Sequence, residues 1–416
     1  VSPGTLLSDQ ARSLRAAVAS DATVVTAAKL LQNTLGFALS LAVLHKFGLA
    51  GVGLLTIASL AVVIQATLLA FGLPYVLAKS PLPISQRNML GAIAGGLGLV
   101  ISLPIGAALG LAFGSDPREA LVIALLSLGG PYFAQSALAD ALLVLQGRAR
   151  RAVISPLGGT AGLSAAYLFA DDYVTFAALL AAGRFAGSAT VLASLPLQWC
   201  GWSAFVGHLK HGLRYLGPDT MGLTADQLSV AIVAMLATRA ELGVFGLCRQ
   251  LLTAADTPMW SRLLIAYPGL CERPRNGLAL QTRMLHRGAV IAAAVAVLSV
   301  GLGLWVYRLP DVARLAPLLM LSVPFRYVAG TGEFALRAIG AIAAVNWLTG
   351  ARCALAPLLA AGLLLAGLTG AIVAIVLQSL VLAVLARSLL RWRLARLPAE
   401  RPSAGVGSPI GVEVTR

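Results

Sequence analysis

Twelve apolar runs, each about as long as a lipid bilayer is thick, follow one another along this sequence. They lie at 23–43, 51–73, 90–113, 120–145, 152–170, 174–197, 218–238, 242–266, 288–306, 315–337, 351–367 and 369–390, bounded by charges or Gly/Pro clusters. A hydrocarbon core needs about 20 apolar residues per helix, and only helices or closed barrels satisfy every backbone group inside it. The runs are too long, and too apolar on all sides, for barrel strands. The seventh and eighth are the most interrupted, by Asp226, Arg249, Asp256 and Arg262. Charged residues make up 11% of the chain, less than half of the roughly 25% of soluble domains. A soluble enzyme, a disordered chain and a disulfide-stapled secreted domain are thereby excluded. The expected fold is all-α and membrane-integral, with about twelve transmembrane helices and no large soluble domain.

The net charge of +15 would suggest nucleic acid in a soluble protein. Here its distribution points to membrane topology instead. With the N-terminus placed in the cytoplasm, 23 of the 31 Lys and Arg fall on inner loops, inner helix ends and tails, and 5 on outer loops. The remaining Arg184, Arg249 and Arg326 fall within spans. This asymmetry is the positive-inside pattern, so both termini are expected in the cytoplasm and no nucleic-acid partner is expected. Cys200, Cys248, Cys271 and Cys353 lie far apart in sequence and suggest neither a disulfide framework nor a metal site. No cleavable signal peptide is expected, because the first 21 residues are polar and no cleavage pattern follows the first apolar run. His45, His208, His211 and His286 lie in loops or near helix ends and read as solvated.

Sliding the sequence against itself by 193 residues aligns Pro131 with Pro324, Tyr132 with Phe325, Asp140 with Glu333 and Gly147 with Gly340. The same offset pairs Lys46 with Arg239, Gly53 with Gly246 and Asn33 with Asp226. Two six-helix halves follow, 1–206 and 207–390, with a basic and then Pro/Gly/Ser-rich tail at 391–416 that is expected to be disordered. An even number of helices per half leaves both in the same orientation, related by an axis along the membrane normal, with a central cavity between them.

The stretch Phe47-Gly48-Leu49-Ala50-Gly51-Val52-Gly53 resembles the glycine-bearing first outer loop of polysaccharide (O-antigen, Wzx-type) flippases. These belong to the multidrug/oligosaccharidyl-lipid/polysaccharide exporter superfamily. Gly72-Leu73-Pro74-Tyr75 is similar to the end of their second helix, and Leu145-Gln146-Gly147-Arg148 to the end of their fourth. Asp226, followed by Leu242-Gly243-Val244-Phe245-Gly246, is similar to their seventh-helix Asp and the next outer-loop glycine, and Tyr267-Pro268 to their eighth-helix end. Lipid II flippases of that superfamily, with two further helices, resemble the chain less. The resemblance implies alternating access between two halves in a bacterial inner membrane, and transfer of an undecaprenyl-diphosphate-linked oligosaccharide from inner to outer leaflet. It implies lipid-linked oligosaccharide, membrane lipids and other polysaccharide-assembly membrane proteins as partners.

Charges deep in a span face a cavity or a partner, because hydrocarbon does not solvate them. Arg184 and Arg326 sit near the middle of the sixth and tenth spans. Lys29 and Asn33 share a face of the first, Arg249 and Asp256 a face of the eighth, and Arg326 and Glu333 a face of the tenth. One reading is a cationic lumen in which Arg184, Arg326, Lys29 and Arg249 neutralise a diphosphate. The other pairs these cations with Asp140, Asp226, Asp256 and Glu333 and so pins helices together. In the first reading Asp226 and Asp256 are candidates for H⁺ or Na⁺ coupling, with Asp140 and Glu333 nearer a gate. No resident cofactor and no catalytic residue is expected. A small-molecule or multidrug antiporter of the same superfamily is the alternative function. A membrane polymerase or ligase is disfavoured, since it calls for a large catalytic outer loop and the outer loops here are short.

Overall fold

The structure is a computed structural model. It describes residues 3–69, 71, 73, 76, 77, 80–135, 138, 154–193 and 195–396. Of these, 3–30, 32, 33, 67, 154–156, 191, 192, 214–226, 260, 261, 264, 265 and 267–269 are described by their backbone alone. All described elements are helical. They are α1 (Pro3–Leu69), α2 (Ile84–Phe113), α3 (Pro117–Ser127), α4 (Ile154–Phe169), α5 (Tyr173–Ala193) and α6 (Trp202–Leu236). After them come α7 (Arg239–Glu272), α8 (Asn276–Gly301) with a π turn at Leu302–Val306, α9 (Pro310–Met320), α10 (Val323–Ala338), α11 (Ile342–Ala354) and α12 (Ala356–Ala395).

The elements map onto the apolar runs through breaks that have local causes. Gly48, at φ 67°, divides α1 into the first two spans, in a backbone region that only glycine enters without strain. In α12, Ala366 and Gly367 (φ 59°) make the turn between the eleventh and twelfth runs. The fourth and tenth spans break at equivalent places. Helices α3 and α9 are each 11 residues long and start on a proline, and their boundaries keep the offset that aligns Pro131 with Pro324. Leu128 (φ −61°, ψ −9°) and Leu321 (φ −60°, ψ −20°) adopt nearly the same backbone where the two helices end. A proline has no N–H for the carbonyl four residues earlier. Those carbonyls belong to Ser127 and Met320, the last residues of α3 and α9. The α9–α10 pair is bent by 43° there.

Several boundaries depart from the sequence reading. The third span starts at Ile84 and the eleventh at Ile342. Position 206, the expected edge of the first half, lies inside α6 rather than in a loop. The reason is packing: Phe205, near the start of α6, is buried with Leu73, Leu77, Leu90 and Leu138 of the first half. Helix α12 runs on to Ala395, past the expected start of the tail; residues 397–416 lie outside the described residues. His208 is not merely solvated: its Nδ1 donates to the Ala204 carbonyl at 2.7 Å, and its Nε2 lies 2.9 Å from Ser80 Oγ.

Among the described residues, Thr34–Ala66, Ile84–Phe113, Asn276–Val306 and Ile342–Ala395 are long and apolar enough to cross a membrane by length and composition, and the bent α9–α10 pair is a fifth. Within the first half α4 packs along α5 through glycines. Gly158 and Gly162 face Gly183 and Gly187, and a Cβ on Gly162 would stand 2.8 Å from the Gly183 Cα. This is the small-xxx-small pattern, which lets helix backbones touch where lipid provides no hydrophobic drive. Helices α1, α6 and α7 join the two sets of helices, around a core that includes Val43, Ile57, Phe176, Val233, Phe245 and Tyr327. The architecture is an all-α membrane fold of twelve spans in two bundles of six, and the chain is a multi-pass membrane protein.

Candidate functional site

Arg184 of α5 lies inside the first bundle, in a slot made by absent side chains. A Cβ on Gly129 would stand 2.7 Å from its Nη1, and one on Gly159 would stand 4.0 Å from its Cγ. Its guanidinium carbon is 5.9 Å from the ring centre of Tyr132 and 5.6 Å from that of Phe133, within the roughly 6 Å over which a ring face attracts a cation. Among the described residues no carboxylate pairs with it. Gln65, fully buried, lies against Gly130, the residue after Gly129, and donates from Nε2 to the Ser102 carbonyl at 3.4 Å. Its Oε1 has no hydrogen-bond partner among the described residues. A permanent cation on two aromatic faces can receive an anionic group.

The second bundle is built differently. Arg326 Nη2 and Nε both reach Asp256 Oδ2, at 2.6 and 2.8 Å, joining α10 to α7. The next residue, Tyr327, donates its hydroxyl to the Ala255 carbonyl at 2.7 Å, so two neighbouring side chains of α10 grip two neighbouring residues of α7. The Asp256 side chain is 7% exposed and that of Arg326 27%. At such burial the attraction offsets a large desolvation cost only while both charges stay together.

The remaining expected site residues scatter. Glu333 pairs with Arg337 on its own helix at 2.8 Å and lies 3.9 Å from Arg352 of α11, so it does not join Arg326 despite sharing its face. Arg249 Nη1 donates to Gln227 Oε1 at 3.3 Å, while Asp256, on the same face, holds Arg326. The side chains of Lys29 and Asp226, and the whole of Asp140, lie outside the described residues. Sequence reading missed Tyr132, Phe133 and Gln65 around Arg184; the available signal was the glycine pair Gly129-Gly130 directly before Pro131 and the two aromatics.

The bundles close on each other at the end that carries the Gly48 turn. A Cβ on Gly53 would run into the Arg239 carbonyl, one on Gly243 into the Leu49 carbonyl, and one on Gly246 into the Thr56 hydroxyl. Arg239 Nη2 donates to the Phe113 carbonyl and stands 3.8 Å from Glu119. Deeper in, Gln250 Nε2 donates to Ser40 Oγ. Just outside, Lys46 donates to the Ala170 carbonyl at 2.6 Å, and Asp172 caps α5 by accepting from the N–H groups of Val174 and Thr175 at 2.8 and 3.1 Å. The Thr175 hydroxyl bond, with these amides, holds the Asp172 carboxyl below the usual carboxylate range.

No protein-family model matches the sequence, and no curated protein matches it. Solved structures do match by fold. A multidrug resistance transporter of the MATE family, MOP superfamily, in its inward-facing conformation superposes with a TM-score of 0.69 at 14% identity, over 90% of this chain and 98% of that one. A MOP superfamily transporter from Pyrococcus furiosus, for which a reversed polarity of the binding pocket is described, gives 0.66 at 14% identity over 91% and 95%. An outward-facing MATE transporter gives 0.61 at 15% identity over 91% and 95%. The fold of this chain is therefore that of the MATE transporters of the MOP superfamily.

Proposed function

We propose that the chain is an alternating-access transporter of a bacterial inner membrane that exports small organic molecules. The observation that carries this reading is the seal at the Gly48 end, where backbone from one bundle touches backbone from the other, in a fold that multidrug transporters share. Rocking about that contact opens one end as the other closes. If the Gly48 end faces outward, the described conformation is open inward, in keeping with the higher TM-score to the inward-facing neighbour. In the first bundle Arg184, which no carboxylate among the described residues neutralises, meets the substrate, and its charge selects anionic or neutral aromatic solutes over cations. Coupling to H⁺ or Na⁺ falls to the carboxylates, Asp226 before Asp256, because Asp256 is held by Arg326.

The test is uptake into everted membrane vesicles under a proton or sodium gradient, with anionic and cationic fluorescent dyes compared. Gradient-driven uptake of the anionic dyes is expected. Arg184→Gln should lower it about tenfold or more, the scale of a lost charged hydrogen bond in a dry site, with protein abundance unchanged. Absence of gradient-driven movement across the whole dye panel refutes the reading.

A second reading, transfer of a diphosphate-linked oligosaccharide between leaflets, is favoured by one observation. Arg184 offers a fork suited to phosphate oxygens and has no described carboxylate to compete for it. Restored surface polysaccharide in a bacterium lacking its own oligosaccharide-lipid flippase, lost with Arg184→Gln and partly kept with Arg184→Lys, decides for this second reading over the first.

A further inference from the structure

Between the two bundles, at the Gly48 end, lies a crevice of about 1020 Å³, at the upper end of the size of small-molecule sites. One wall is the end of the first span with Leu41 and His45, and beside it stands α4 with Tyr167 and Leu168. The opposite wall is the π turn after α8 with Trp305 and Arg308. None of its lining residues is acidic. None of them takes part in the Arg184 group or the Arg326–Asp256 pair.

Two uncommon backbone choices build the far wall. The π turn is closed by the Tyr307 N–H on the Leu302 carbonyl at 2.8 Å, a geometry found mostly as short insertions at functional sites. Directly after it Arg308 holds φ at 54°, a left-handed conformation that L-residues other than Gly, Asn and Asp rarely adopt. Together they turn Trp305 outward, to 81% exposure, and set Arg308 at the mouth. Leu168 on the facing wall is 70% exposed. Tyr167 and Trp305 are the residue types that sit at headgroup level, and Lys46 lies 5.4 Å over the Tyr167 ring. The crevice thus has an apolar floor and a basic, aromatic rim.

We propose that this crevice is a binding site for one anionic glycerophospholipid of the surrounding bilayer. Its phosphate sits between Arg308 and His45, and an acyl chain runs along Leu41, Leu168 and Trp305. Charge complementarity fixes the occupant. A lipid anion gains from a rim with basic groups and no acid, whereas a zwitterion brings its own ammonium against Arg308. Spanning both bundles, the lipid ties the first span and α4 to the end of α8. The proposal is independent of the transported substrate.

The experiment uses the full chain in nanodiscs, with chain-brominated phosphatidylglycerol or chain-brominated phosphatidylcholine mixed at increasing fractions into an unlabelled phosphatidylcholine bilayer. Quenching of Trp305 emission is isolated by difference from Trp305→Phe. Brominated phosphatidylglycerol is expected to quench at a mole fraction about fivefold lower than brominated phosphatidylcholine, the preference that one engaged arginine gives an anionic lipid. The double variant Arg308→Asn, His45→Gln should remove that preference, asparagine being chosen because it tolerates the left-handed backbone. Equal quenching by the two lipids in the wild-type protein means ordinary annular lipid and overturns the proposal. So does an undiminished preference in the double variant. The wild-type comparison needs no variant in the rim and decides even if the double variant does not fold.

Discussion

Arg326 and Asp256 offer a sharp test of whether a deep cation is there for substrate or for structure. Neutralising either member alone leaves the other charge at its place between α7 and α10, at 27% or 7% side-chain exposure. Breaking a buried pair in this way costs about 3–5 kcal/mol, roughly two to three and a half powers of ten in the folding equilibrium. Arg326→Gln should be the costlier change, because the charge it leaves, Asp256, is the more deeply buried of the two. Replacing both by apolar residues of similar volume, Arg326→Met with Asp256→Leu, removes the desolvation cost along with the attraction. It should therefore return the protein to near wild-type stability. The measurement is reversible unfolding in mixed micelles with increasing SDS, followed by circular dichroism, on wild type, both singles and the double. The coupling term should be large and of the sign that makes the double milder than the sum. Single variants as stable as wild type, or costs that simply add, refute the pairing argument and return Arg326 to the set of substrate-facing cations.

Three further outcomes follow from the packing. Gly183→Leu puts a branched side chain where α4 and α5 touch backbone to backbone; little folded protein should reach the membrane, as size-exclusion chromatography of a fluorescent fusion would show. Cysteines replacing Ser40 and Gln250, whose side chains bond across the bundles, should react with a short bifunctional thiol cross-linker and stop transport, with recovery on reduction if the linker is cleavable; undiminished transport after complete cross-linking contradicts rocking about this contact. Because the Asp172 carboxyl titrates below its unfolded value, its cap on α5 is fully present above the ordinary carboxylate range and is lost only as pH falls through the depressed value. Hydrogen exchange at Val174 and Thr175 should stay slow down to mild acid in the wild type and be fast at all pH in Asp172→Ala.

Much of the fold was legible because its determinants are local. Gly48 and Gly367 make turns by their own conformational freedom, and Pro131 and Pro324 break their spans through a hydrogen bond that proline cannot make. What escaped is set by contacts between helices. Nothing near Trp202 announces that α6 starts there, since that depends on Phe205 finding Leu73 and Leu90. Helical spacing correctly put Arg249 with Asp256 and Arg326 with Glu333 on shared faces. A face does not choose its partner, though, and the structure joins Asp256 to Arg326 across two helices and leaves Glu333 to Arg337 and Arg352. The slot around Arg184 was equally hidden, because it is made of glycines on two other helices.

The repeat also explains why the two bundles need not do the same work. The offset that brings α3 onto α9 places Arg326 on Phe133 and Asp256 on Val63, so the charged pair of the second bundle is apolar in the first. Phe133 is one of the two rings facing Arg184. A guanidinium therefore stands close to this level of the broken span in both bundles, carried by α10 itself in one and brought by α5 against the ring in the other. In the second bundle the cation arrives with its own carboxylate and is spent on holding α10 to α7. In the first it arrives on aromatic faces, which attract it without cancelling its charge. The two halves share the backbone breaks before Pro131 and Pro324 and differ in the polar groups beside them. Among the described residues, the cation of the first bundle therefore rests on aromatic rings and that of the second on a carboxylate that braces α10 against α7.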